Sequence, residues 1–295
     1  MKQKDIKSLS REYLSGLKIS CNDILYSKEI PNEEINDYLQ KSVKCICDKL
    51  SRNEEIAAEL DTIKSIDRRI SEDDEIVLFV TDTIDGSLSA RILMDSIRIF
   101  WNSSVRCQII EGLSVEKNDN QIQEGCIQLL RKVVHEVKDD PENTSVVITG
   151  GYKFMIAYMN LGALLYGAEV IYIYEGSKKP IYLPKVNLMP NLSIWNEYFD
   201  IFHELERNGK LEKSDYRNVI NMSRHNQGKI HSDMNPFIEK IDGKKYITLN
   251  PIGEVLHKRA FEMYKDNLTG LFDRSFFDLA LKPWMSRIDP KQCGI

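Results

Sequence analysis

"SVVITGGYKFMIAYMNLGALLYGAEVIYIYEG", residues 145–176, is the stretch whose reading decides the fold. Ser145 to Ile148 is a short apolar, β-branched run, Gly150-Gly151 breaks it, apolar residues then recur at helical spacing, and Glu169 to Tyr174 is a second β-rich run. A buried strand, a tight glycine turn, a helix and another buried strand make a βαβ unit, the building block of a parallel sheet.

The same grammar extends upstream. Ile76 to Val80 is a continuous apolar run, "DGSLSARILMDSIRIFW" follows with helical spacing, Val105 to Ile110 is a third β-rich run, and "QIQEGCIQLLRKVVHEV" is again helical. Strands without in/out alternation, separated by helices, predict a parallel sheet covered on both faces. The expected class is therefore α/β, a Rossmann-like sheet, with "EGSKKPIYLPKVNLMPNL" closing it through a short hairpin and a linker. Residues 1–72 read as helical and highly charged.

From Trp195 the pattern changes. "WNEYFDIFHELERNGK" and "KSDYRNVINMS" read as two helices, and "SDMNPFIEKIDGKKYITLNPIGEVL" as a helix leading into a hairpin turned at Asp242-Gly243. Three helices, a β-wing and a further helix follow the order of a winged helix-turn-helix. The expected division is 1–190 for the α/β domain and 191–295 for a small winged-helix-like α+β domain.

Composition bounds the function. The chain has 295 residues, 42% of them apolar, and a formal charge of -5 with acids and bases interspersed, so no long-range field selects a nucleic-acid or membrane surface. The cysteines (Cys21, Cys45, Cys47, Cys107, Cys126, Cys293) show neither CxxC nor zinc spacing. No apolar run approaches the roughly 20 residues of a membrane helix, and the start of the sequence is charged. These features predict reduced thiols, a cytoplasmic location, no membrane partner, no metal and no cofactor. His135 and His203 lie in amphipathic patterns and read as structural.

In a doubly wound sheet, ligands sit beyond the carboxyl ends of the strands. Two turns fit that place: Thr81, Asp82 and Thr83 with Ser87 after the Ile76 strand, and Thr149-Gly150-Gly151-Tyr152-Lys153 after the Ser145 strand. Paired glycines let backbone approach a phosphate, Thr149 offers a hydroxyl, and Lys153 adds a cation. A lysine in a first helical turn opposes the helix dipole by a few tenths of a kcal/mol, which a bound anion would reverse. The plain alternative is a sharp turn with a solvated lysine. Neither GxGxxG nor GxxxxGK[ST] is present, so a nicotinamide cofactor or an ATP-hydrolysing loop has no motif behind it.

"VVITGGYK", "AEVIYIYEG", "IYLP", "AAELDTI" at 57–63 and "VLFVTDTIDGSLSARIL" at 77–93 together resemble the CARF (CRISPR-associated Rossmann fold) proteins, most closely the variety followed by a winged helix. The resemblance covers about residues 50–260. It implies a homodimer that binds a cyclic oligoadenylate, the second messenger of type III CRISPR systems, across a two-fold pocket, with cyclic tetra-adenylate the first candidate. Gly150, Gly151 and Lys153 would meet the ring phosphates, and Thr81, Asp82 and Thr83 the pocket edge. Some members also cut the ring without a metal, as ring nucleases, which implies a catalytic part for Lys153, with Thr83 or Ser87 orienting the sugar. The sequence departs from the family at its start: "MKQKDIKSLSREYLSGLKIS" has no first strand ending in a Gly-Thr/Ser-Ser-Leu loop, and Ser8 or Ser10 would be at most a displaced remnant.

Three rival readings concern the C-terminal part. A messenger-responsive regulator would bind DNA through Arg217, Arg224, Lys244 and Lys245, with His225 and Lys229 nearby, although residues 195–295 carry 16 Lys+Arg against 15 Asp+Glu, a net of only +1. A messenger-activated ribonuclease would use Arg224 and His231. A nucleotide-binding α/β enzyme outside the family is the third. "DNLTGLFDRSFF" at 266–277 is similar to the opening of diguanylate-cyclase domains, but too few residues follow it, and a packed aromatic helix is expected instead.

Overall fold

A computed structural model of the chain describes residues 19–66, 70–113, 119–174, 177, 179–186, 192–222, 227–241, 243, 245–266 and 268–278. The chain divides into two compact units, Met1–Leu188 and Met189–Ile295. No helix among the described residues is long and apolar enough to cross a membrane.

Among its described residues the first unit begins with helices α1 (Cys21–Tyr26), α2 (Glu33–Ser51) and α3 (Ala58–Ser65). Ser20 caps α1 through a reciprocal box with Asp23, and Asn32 caps α2 by accepting from the Ile35 N–H at 3.0 Å. Then come β1 (Glu75–Thr81), α4 (Ile84–Trp101), β2 (Ser104–Ile110), α5 (Asp119–Val137), β3 (Ser145–Val147), α6 (Lys153–Tyr166), β4 (Glu169–Tyr172) and β5 (Ile181–Leu183).

β1 and β2 run parallel with Ile76 opposite Val105, Leu78 opposite Cys107 and Val80 opposite Ile109. That register puts these six side chains into one core with Met94 and Ile97 of α4. On the opposite face Arg106 and Gln108 both donate to the Glu136 carboxylate of α5, so that face is closed by a polar clamp. β3 pairs with β4 in parallel, and β5 returns antiparallel to β4 as the expected hairpin. The single covered parallel sheet needs correction. Among the described residues the strands form two sheets, β1-β2 and β3-β4-β5. Each βαβ unit closes on its own pair of strands, and the connection through α5 does not bring β3 into hydrogen bonding with β1 or β2.

Gly125 sets how closely α5 approaches the loop after β2. A Cβ on Gly125 would lie 2.7 Å from the Gly112 carbonyl carbon and 2.9 Å from both the Glu111 oxygen and the Leu113 nitrogen, all backbone. Backbone cannot rotate away, so the whole helix must shift. Gly125→Ala is expected to lower the unfolding free energy by about 2–3 kcal/mol, read as a fall in Tm, with far-UV circular dichroism unchanged at 20 °C.

The second unit contains α7 (Leu192–Glu197), α8 (Phe199–Asn208), β6 (Leu211–Glu212), α9 (Lys213–Met222), α10 (Gln227–Met234), a 3-10 turn at Asn235–Phe237, β7 (Ile238–Ile241), β8 (Tyr246–Leu249), α11 (Pro251–Met263) and a single helical turn, α12 (Arg274–Phe276). Its sheet is antiparallel in the order β6-β8-β7. The helix expected from Trp195 onward is two, broken at Tyr198, whose backbone leaves the helical region (φ -116°, ψ 26°). The stretch at 266–277 is a turn before a short helix. Asp266 Oδ1 accepts from the Thr269 N–H at 2.9 Å, and Asp273 caps α12. Trp195, Tyr198, Phe202, Tyr216 and Ile230 fill the core, each at most 1% exposed.

Candidate functional site

The turn between β3 and α6 carries backbone donors that no described residue engages. Thr149 Oγ1 accepts the Ile173 N–H at 3.0 Å, extending the β3–β4 pairing one step past the strand and fixing where the turn begins. Gly151 takes φ +92°, a conformation glycine adopts without strain. Tyr152 then stands as the N-cap of α6 without a side-chain capping bond, its ring stacked on Phe154 at 5.3 Å. Among the described residues, no acceptor serves the backbone N–H groups of Gly150, Gly151, Tyr152 or Lys153. Lys153 is the exposed first residue of the helix, it pairs with no described acid, and the first turn of α6 contains no carboxylate. N–H donors open among the described residues, a helix N-terminus and a lysine share one turn, a combination that favours an anion.

The turn after β1 is more self-contained. Thr83 caps α4, its Oγ1 accepting from the Gly86 N–H at 3.0 Å and lying 3.0 Å from Thr81 Oγ1. A Cβ on Gly86 would overlap Thr81 Oγ1, so the glycine is what lets the two threonines meet over the helix start. Asp82 Oδ2 accepts the Gly112 N–H at 3.1 Å and ties the carboxyl ends of β1 and β2 together. Ser87 needs correction: it is 0% exposed, so its hydroxyl is not presented to a sugar at the strand ends. Thr81, Asp82 and Thr83 are half-buried.

One residue at the β3–α6 turn was not singled out from the sequence. Glu59, in the first turn of α3, places its carboxylate against Gly150, where a methyl would lie 2.6 Å from Glu59 Cδ. "AAELDTI" carried the only hint, as a motif without an assigned role.

In the second unit, Arg217 is exposed on α9. Together with Lys213, Lys240 and the ring of Tyr216 it lines a cleft of about 270 Å³. None of the three cations pairs with a described acid. Lys245 is engaged elsewhere, 3.5 Å from Glu212 and over the Tyr246 ring. Arg224, His225, Lys244, Ser8 and Ser10, and the side chains of Lys229 and His231, lie outside the described residues.

The fold also assembles a cluster that sequence spacing did not bring out. Donor atoms of His203, Glu206 and His257 all lie within 4.8 Å of one another. Yet Trp195 donates its indole N–H to Nδ1 of His257 at 2.8 Å, which leaves the ring proton on Nε2, the nitrogen without a partner. A cation there would meet an N–H, so the trio does not fit a metal. Burial is the main cause, and nearby His203 a lesser one, of a His257 pKa pushed down to about 4. The unfolded chain would take up a proton near pH 6.5 that the fold refuses until about pH 4, so stability falls with pH across that window, by up to about 3 kcal/mol. Urea titrations at pH 7 and pH 4.5 should show this loss, and it should shrink in His257→Gln. The described thiols are free, and burial raises Cys107 to about 11, so that thiol is an unreactive core group.

Fold and turn together describe an α/β protein with an open, cation-bearing strand-to-helix turn at the carboxyl end of a parallel strand. Residues 54–186, less than half of the chain, match the family model of a CRISPR-associated protein (Cas_APE2256). No curated protein matches the chain. Among solved structures it is similar to Can2 from Sulfobacillus thermosulfidooxidans in complex with cyclic tetra-adenylate (cA4), at 13% identity and a TM-score of 0.29, over 64% of this chain and 58% of that one. The chain spans under two thirds of the Can2 chain.

Proposed function

We propose that the first unit binds a cyclic oligoadenylate, cyclic tetra-adenylate first among candidates, in type III CRISPR signalling. The observation that carries this reading is the row of N–H groups from Gly150 to Lys153 that, like the Lys153 side chain, have no partner among the described residues. The match to a CRISPR-associated family supports it, because the matched residues contain this turn. A homodimer is the natural host: a ring with equivalent halves receives the same contacts from two symmetry-related turns.

The same turn is suited to cutting the ring. Attack of a ribose 2′-oxygen on the adjoining phosphorus, with the P–O5′ bond breaking and the 2′ proton passing to water, leaves a 2′,3′-cyclic phosphate; protonation of the departing oxygen gives a 5′-hydroxyl. Lys153 would offset the charge that builds on the phosphoryl oxygens, and the open amides would hold the group in line. Incubating the protein with labelled cyclic oligoadenylates and no added metal tests both parts. Linear products support ring cleavage, retention of the intact ring supports a sensor, and no retention of any ring removes the proposal.

A second reading concerns the second unit, taken as a winged helix that binds duplex DNA when the messenger is present. Its support is the Lys213, Arg217 and Lys240 cleft, whose cations are free to meet phosphates.

A further inference from the structure

The Gly150–Lys153 turn has an acidic neighbour that a phosphate site by itself does not call for. A methyl on Gly150 would lie 2.6 Å from Cδ and 3.0 Å from Cγ of Glu59 and would overlap Oε1, so the carboxylate lies directly on the turn's backbone. It has no protein partner there: among the described residues nothing donates a hydrogen bond to it and no cation pairs with it, Lys153 included. The turn's own N–H groups are likewise open. An acid in the first turn of α3 favours that helix's dipole, but Asp61 shares that role and also accepts the Ile56 N–H at 3.0 Å. The dipole does not require Glu59 to rest on Gly150.

A half-buried, uncommitted acceptor set against a row of donors suits a ligand that brings an anion and a hydroxyl on neighbouring atoms. A ribonucleotide does so with its phosphate and 2′-hydroxyl, the group by which proteins tell RNA from DNA. We infer that Glu59 accepts a hydrogen bond from the ribose 2′-hydroxyl beside the phosphate held at Gly150-Gly151, and so makes the site select ribonucleotide rings over deoxyribonucleotide ones. The inference rests on the cyclic oligoadenylate reading of this turn. Selection has two parts. A ribo ring gains a charge-assisted hydrogen bond, whereas a deoxy ring meets a bare carboxylate beside its phosphate and gains nothing to offset the repulsion.

The test titrates the full chain with cyclic tetra-adenylate and with its all-2′-deoxy counterpart, in the wild type, Glu59→Gln and Glu59→Ala. The wild type is expected to prefer the ribo ring at least about tenfold. Glu59→Ala should bring the ratio to about one, through weaker ribo and stronger deoxy binding. Glu59→Gln, which keeps an acceptor without the charge, should fall between. Deoxy binding by Glu59→Ala also shows that the variant is folded. An unchanged ratio in Glu59→Ala, or equal tightening for both rings, would overturn the inference while leaving the turn's role intact. A wild type that binds neither ring would overturn the reading of the turn itself.

Discussion

Lys153→Ala is expected to weaken binding of cyclic tetra-adenylate by about 10- to 100-fold, the range for losing one charge-assisted contact to a phosphate. The fold should be indifferent to the change. Lys153 is exposed, opens α6 at a position where a cation is mildly unfavourable, and pairs with no described residue. Alanine there would leave Tm unchanged or slightly raised. Calorimetric titration beside thermal unfolding separates the two effects. If the ring is cut, product formation should fall further than binding, because charge on the phosphoryl oxygens rises on the way to the transition state. Equal affinity in the wild type and Lys153→Ala would remove the lysine from the site.

Trp195→Ala should damage the second unit more than any other single truncation there. Trp195 is 0% exposed and its ring touches Phe199, Phe261 and Tyr264. Emptying that volume costs about 3–5 kcal/mol. The change also strips His257 Nδ1 of its donor in a buried place, which adds about 1–3 kcal/mol. The sum approaches the whole stability of a small domain. Near-UV circular dichroism and urea denaturation should show the second unit's transition shifted to low denaturant or lost. Trp195→Phe, which refills most of the volume but still removes the N–H, is expected to recover the larger part. Equal stability of the alanine variant and the wild type would mean that the aromatic core is not what holds this unit.

Both expectations trace back to features that differ in how openly a sequence displays them. The strands at 75–81 and 169–172 were legible as apolar runs bounded by turn residues, whereas the strand at 104–110 was legible only as β-rich, since Arg106 and Gln108 alternate with its apolar residues and face the Glu136 carboxylate. The Gly150-Gly151 turn was legible because few other residues tolerate such a corner. The division into two sheets was not, since apolar runs state that strands are buried but not which neighbours they take. β6 is two residues long and exists only through its pairing with β8, and the break at Tyr198 interrupts a pattern that is helical on both sides. Glu59 meets Gly150, and His257 meets His203 and Trp195, through tertiary packing between distant segments, which no local spacing encodes. Ser87 looked available because it follows the Thr81–Thr83 turn closely, but one helical turn further on α4 carries it into the interior.

The most direct measurement is a calorimetric titration of the full chain with cyclic tetra-adenylate. The account predicts saturable binding at one ring for two chains, lost or much weakened in Lys153→Ala. No detectable heat with this ring or with rings of other sizes, from a protein shown to be folded, would contradict it.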